Sequence, residues 1–151
     1  MLDAGKCISY LTIEYRGVIA EPLRRAIGNR IFGCDDCQLV CPWNRYAQAS
    51  QEPAFTPRHD FDGPPLLDLW AWDEITWLSK TEGMPLRRMS YASWLRNLSM
   101  ALGNAPASAD IVQALAMRRD ELSASGMLND VLTEHIDWAI NEQTLKLHAA
   151  Q

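Results

Sequence analysis

A chain of 151 residues, 48% apolar and 22% charged, has the make-up of an ordinary globular protein able to bury one core. No apolar run is long enough to cross a bilayer, and the first residues, MLDAGKCISYL, have neither the basic start nor the apolar stretch of a secretory signal, so a cytoplasmic, reducing setting is expected. The net charge of −5 speaks weakly against a nucleic-acid binder, but residues 80–100 carry four Lys/Arg against one Asp/Glu, which permits a local basic patch.

Residues 1–46 read as a compact cysteine module. CISYLTIEYRG fits both the helical and the strand period over so short a run; a helix ending at Gly17 is favoured. EPLRRAIGN reads as a helix with Pro22 in its first turn and Gly28 as its C-terminal cap. CDDCQLVC reads as one helical turn that aims its thiols inward. Residues 47–67 are proline-rich and lack periodicity, so they read as a connector that crosses the surface with Phe55 and Phe61 as anchors.

From residue 68 the pattern is helical. DLWAWDEITWLSK predicts a helix with Leu69, Trp72, Ile75 and Leu78 near helical spacing. SYASWLRNLSMALGNA is the clearest amphipathic segment, with Trp94, Leu95, Leu98, Ala101 and Leu102 on one face and Gly103 as the stop. SADIVQALAMRRDEL offers Ser108 as an N-cap and a stripe of Ile111, Leu115 and Leu122. MLNDVLTEHIDWAINEQTLKL places Leu128, Val131, Leu132, His135, Ile136, Ala139 and Ile140 on one side. Short connections imply antiparallel neighbours stacked in pairs, like a fragment of an α-solenoid. The expected organisation is therefore mainly α, with a cysteine module at 1–46, a connector at 47–67 and a helical domain at 68–151.

The chemistry lies in Cys34, Cys37 and Cys41, spaced C-x2-C-x3-C and followed by Pro42. These are the last three ligands of the bacterial ferredoxin run C-x2-C-x2-C-x3-C-P; Ile31 stands where the first would be, and Cys7 is the natural substitute. Two thiols at C-x2-C spacing reach different irons of one cubane face from a single tight turn. In two-cluster proteins the cysteine before the proline serves the other cluster. In that case each cluster needs thiols that this chain does not contain, and the sequence is expected to be the C-terminal part of something longer. A four-cysteine zinc site is the alternative, although the x3 step and the proline fit it poorly. A disulfide fits a reducing compartment less well.

Several other residues have a bland reading. Arg87 and Arg88 suit a solvated turn as well as a phosphate contact. Asn97 suits a buried amide linking helices, and His135 a core histidine. Trp70, Trp72, Trp77, Trp94 and Trp138 suit the core better than base stacking, whereas Trp43 suits shielding of a cluster. Asp73 and Glu74 suit a helix first turn.

CISYLTIE, GNRIFGCDDCQLVCPWN, GMPLRRMSYASWLRNLSMALGNAP and LTEHIDWAI together resemble the C-terminal part of the epoxyqueuosine reductase family, over nearly the whole chain. Met84 departs from the resemblance, because a small hydroxyl residue is expected after the glycine. The resemblance implies a ferredoxin-like module for two 4Fe–4S clusters followed by HEAT-like helical repeats, with a cobalamin domain and a catalytic acid supplied from upstream. It implies reduction of epoxyqueuosine in tRNA, an electron donor as a further partner, and no membrane or DNA partner. By resemblance, Cys7, Cys34 and Cys37 serve the cluster nearer the cobalamin and Cys41 the farther one. Ser9 and Asp35 would lie at the corrin edge, and Arg16, Arg87, Arg88 and Arg96 would contact tRNA. This chain alone is expected to be inactive. A stand-alone single-cluster electron carrier and a zinc-stabilised helical adaptor are the competing functions.

Overall fold

The computed structural model describes residues 3–57 and 61–149, and Arg58, His59 and Asp60 of the expected connector lie outside that range. The described residues form helices joined by turns, with no strand. The helices are α1 (Ile8–Ile13), α2 (Glu21–Ile27), α3 (Asp36–Leu39), α4 (Leu66–Trp70), α5 (Glu74–Lys80), α6 (Tyr91–Asn104), α7 (Ala109–Ala124) and α8 (Asp130–Ala149). None is long and apolar enough to cross a membrane.

The short elements of the cysteine half follow local signals. α1 starts at Cys7 and gives way at Glu14, three residues before Gly17. α2 has Pro22 in its first turn and is closed by Gly28 at φ 64°, a left-handed conformation that glycine adopts without steric cost. α3 is the single turn expected between Cys34 and Cys41. Phe61 packs edge-on against Trp72 with centroids 5.6 Å apart, but Phe55 is 77% exposed and anchors nothing.

The helix expected from residue 68 is two helices. Asp73 breaks it, because its carboxylate accepts the Thr76 N–H at 2.8 Å and starts α5 anew. The apolar stripe changes with the break: Leu69, Trp70 and Trp77 are buried, while Ile75 is 76% exposed.

α6 runs through the middle of the molecule. Every residue from Ser93 to Gly103 is buried, so the expected single apolar face is in fact an all-round burial that includes Ser93, Arg96, Asn97 and Ser99. α4 and α8 cover it from the helical half, and α1 and α2 from the cysteine half. Consecutive helices α6, α7 and α8 alternate in direction as expected, and the largest contact joins α6 to α8, which run parallel: Gly103 of α6 lies against Trp138 and Ala139, and Lys146 Nζ donates to the Gly103 carbonyl at 2.6 Å. Gly103 is therefore not a stop. A Cβ there would sit 2.6 Å from the Trp138 ring and 3.0 Å from the Ala139 Cα, so glycine is what lets the two helices touch. The helix ends one residue later, before Ala105 and Pro106.

Candidate metal centre

The cysteine half has few helical residues of its own, and its irregular backbone needs hydrogen-bond partners if it is to be buried. α6 supplies them. Arg96, 1% exposed, donates to the carbonyls of Leu11, Tyr15 and Gly17 at 2.7–3.2 Å and to its neighbour Asn97. Asn97, fully buried, donates to Thr12 and Ile31 carbonyls, both at 2.8 Å. Asn104 donates to the Arg24 and Gly28 carbonyls that end α2. From α8, the His135 ring accepts the Ile19 N–H at Nε2 and bonds the Val131 carbonyl through Nδ1, which fixes the neutral tautomer with its proton on Nδ1. Burial pushes this imidazole down to about 4. Arg24 spans the same seam, bonding the Ile19 carbonyl and Glu134.

On this support sits the cysteine loop. Thr12 Oγ1 donates to Ile8 O at 2.8 Å and accepts the Gly33 N–H at 3.0 Å, which ties the residue before Cys34 to α1. Gly33 has φ 75° and lies close to Ser9 Oγ, so Cys34 leaves the anchor beside the helix that begins at Cys7. Arg30 makes a two-pronged pair with Asp36 at 2.8 and 3.1 Å and lies near Cys34. Asp35 is exposed, and its carboxylate accepts from Gln38 at 3.1 Å. The Asn44 side chain bonds the Gln38 carbonyl and pins the turn that follows Cys41 and Pro42.

All four thiols are free; Cys7 and Cys37 are exposed, Cys34 and Cys41 half-buried. No disulfide joins them. Among the described residues no group of three His, Cys, Asp or Glu side chains stands close enough to hold a single metal ion. Four reduced thiols, three of them on one short anchored loop and the fourth on the adjoining helix start, are a donor set suited to iron–sulfur groups. The loop carries bare apolar side chains: Leu39 is 73%, Val40 79%, Trp43 74% and Tyr46 62% exposed. Trp43, expected to shield a cluster, faces outward against Tyr46.

Residues 1–44 match a family described as a 4Fe-4S double cluster binding domain. Across the whole chain, the epoxyqueuosine reductase of Xanthomonas campestris is 51% identical over 144 residues, covering 95% of this chain and 39% of that protein. The Escherichia coli protein of the same name is 49% identical over 148 residues, 98% and 37% of the two chains. This chain matches a part of the epoxyqueuosine reductases. It spans under two fifths of the length of these relatives. The fold agrees: an epoxyqueuosine reductase structure from Bacillus subtilis superposes with a TM-score of 0.77 at 28% identity, over 99% of this chain and 40% of that one. A second, of an epoxyqueuosine reductase with an epoxyqueuosine-modified tRNA-Tyr stem loop, gives 0.75 at 29% identity over 99% and 39%.

The four arginines singled out by resemblance to epoxyqueuosine reductases are not equivalent in space. Arg96 is corrected: it is inside the protein, with its donors given to backbone carbonyls and Asn97, and it has no surface to offer an RNA. Arg16 is exposed and held by the carbonyls of Ile13 and Arg88 and by Ser93 Oγ. Arg88 pairs with Glu14 across the two halves. Arg87 is exposed, lies over the Trp77 ring at 5.6 Å and bonds the Leu78 carbonyl. Sequence reasoning missed Thr12, Arg24 and Asn104, whose role depends on which distant carbonyls come within reach.

Proposed function

We propose that this chain is the cluster-bearing and helical part of an epoxyqueuosine reductase. The observation that carries the reading is the thiol loop of Cys34, Cys37 and Cys41, tied through Gly33 and Thr12 to the helix that starts at Cys7, inside a chain similar to these reductases from end to end. Cys7, Cys34 and Cys37 would serve one 4Fe–4S cluster and Cys41 a second, with the remaining ligands from the part of the relatives that this chain does not span. Bound there, the clusters would supply electrons one at a time to a cobalamin; opening an epoxide to an alkene takes two electrons and two protons and releases the oxygen as water. This chain's own contribution is to hold the thiol loop in place, through Asn97, Thr12 and Arg30.

Ser9 and Asp35, beside cluster ligands, are proposed to face the corrin edge. The uncovered Leu39, Val40, Trp43 and Tyr46 support a further part of the reductase docking over this loop. Arg16, Arg87 and Arg88 are proposed to meet the phosphates of a tRNA carrying epoxyqueuosine, which supports a cytoplasmic place of work. The division into a module at 1–46, a crossing at 47–67 and a helical unit from 68 is kept as part of this reading.

The test is iron and acid-labile sulfide per chain after anaerobic reconstitution, followed by EPR on addition of dithionite. About four irons per chain with a reducible cubane signal are expected, and both should fall in Cys34→Ser and Cys37→Ser. About one zinc per chain without sulfide, retained against iron, would overturn the reading.

A further inference from the structure

Asp35 and Asp36 fill the span between Cys34 and Cys37, so the loop that offers thiolates to a cluster also carries two carboxylates. A cluster held by thiolates is already anionic, and one-electron reduction adds a further negative charge. Carboxylates beside it work against that electron. Arg30 answers one of them: its Nη2 donates to both Asp36 oxygens, at 2.8 and 3.1 Å. The side-chain partner of Asp35 is the neutral Gln38 amide.

Arg30 is held where it stands. Its backbone N–H and its Nη1 both turn to the Ile27 carbonyl at the end of α2, at 3.4 and 3.3 Å. The Ile31 carbonyl is fixed by buried Asn97, and Gly33, at φ 75°, is tied to Thr12. The chain turns there and brings Asp36 back to Arg30 across the start of the loop. The Arg30 bonds use Nη1 and Nη2, and Nε has no acceptor among the described residues. The guanidinium holds its proton more tightly than usual, through the Asp36 bonds and charge first and through the Cys34 sulfur as a smaller contribution. The sulfur of a cluster ligand thus lies beside a cation that still has an N–H to give. A pair as exposed as Arg30 and Asp36, 36% and 56%, adds little to folding stability. Its larger effect falls on its neighbours.

Resting on the cluster reading above, we propose that Arg30 sets the reduction potential of the cluster served by Cys34 and Cys37. It is a positioning residue that acts through the Cys34 sulfur, and its charge and N–H favour the reduced form. The step is one electron passed from a reduced one-electron donor to the cluster, with no bond made or broken. A raised potential lets a weaker reductant load the cluster, so Arg30 bears on which one-electron donors can serve the chain.

The test is a redox titration of the reconstituted 151-residue chain, followed by EPR of the reduced cubane signal, with iron and sulfide counted in every sample. Arg30→Gln should lower the midpoint by about 59 mV, a tenfold loss in the equilibrium constant for one electron. In Asp36→Asn no ion pair remains to hold the loop, so adding Arg30→Gln to that variant separates the two roles of the arginine. A fall of similar size is expected there too. An unchanged midpoint in either background, at full iron loading, overturns the proposal and leaves Arg30 as a clasp for Asp36. Arg30→Lys keeps the charge and gives up the planar donors. It should show a smaller fall of the same sign, and it decides the matter where Arg30→Gln loads no iron; no change or a rise there overturns the proposal. A wild-type chain that takes up no sulfide sinks the cluster reading and this proposal with it, whereas a loaded wild type whose variants do not shift sinks this proposal alone.

Discussion

Arg96 carries a positive charge into the core with no carboxylate to meet it, and what holds it there is a set of backbone carbonyls from the loop after α1. Burial pulls its proton affinity down to about 10, still well above neutral pH, so it remains a cation. In the sequence Arg96 is indistinguishable from a surface arginine on an amphipathic helix, because nothing local tells that a second half of the molecule will close over that face. Asn97 and His135 were legible as buried polar residues, since an amide or imidazole among leucines usually finds a partner. The cysteines were legible because metal chemistry constrains spacing more tightly than packing constrains composition. Arg96→Met leaves three carbonyls without a donor, and Asn97→Ala two; each should lower unfolding stability by about 3 kcal/mol. Urea unfolding of the variants checks this. Arg96→Met unfolding at the wild-type midpoint would mean that water replaces the guanidinium freely and that the arginine is not what joins the halves.

At the scale of elements, α6 is held at close range to α8 by one missing side chain. Gly103→Ala sets two effects against each other. Alanine favours the helix by about 1 kcal/mol. Its Cβ would meet the Trp138 ring at 2.6 Å and the Ala139 backbone at 3.0 Å, and the second contact cannot be relieved by a side-chain rotation. Overpacking of this kind costs about 1–3 kcal/mol, and α8 is tied to α6 by Gln143 and Lys146 bonds that resist a shift. The expected outcome is a net loss of about 1–2 kcal/mol, read as a lower thermal midpoint; a rise would show that α8 slides at no cost. Glycine late in a helical pattern signals a stop when only the chain is considered, and a close approach when a neighbour is. The sequence cannot separate these. The start at Asp73 was legible, since Asp73 and Glu74 read as a helix first turn, but the regular apolar spacing from Leu69 to Leu78 hid that a separate helix precedes it.

The whole molecule is two unlike halves joined across a polar seam, and that seam has a titrating member. The helical half was largely legible, because its periodic segments choose their own partners. The way the cysteine half leans on it was not, because that depends on carbonyls that every residue has. His135 sits at the seam, accepting the Ile19 N–H through a neutral Nε2, with Arg24 and Arg96 close by and Glu134 as the nearest opposing charge. Above pH 6.5 the ring is neutral in both the folded and the unfolded chain, and stability does not depend on it. Between pH 6.5 and about 4 the unfolded chain binds a proton that the folded chain refuses, so stability falls as pH falls. Below about 4 both states are charged and the loss is complete, at about 3 kcal/mol in all. Unfolding midpoints measured from pH 7.5 to pH 4 should show this slope in the wild type and lose most of it in His135→Asn, whose amide can still accept from Ile19. Equal slopes in the two proteins would place the acid sensitivity elsewhere and show that His135 is protonated in the folded state with little penalty.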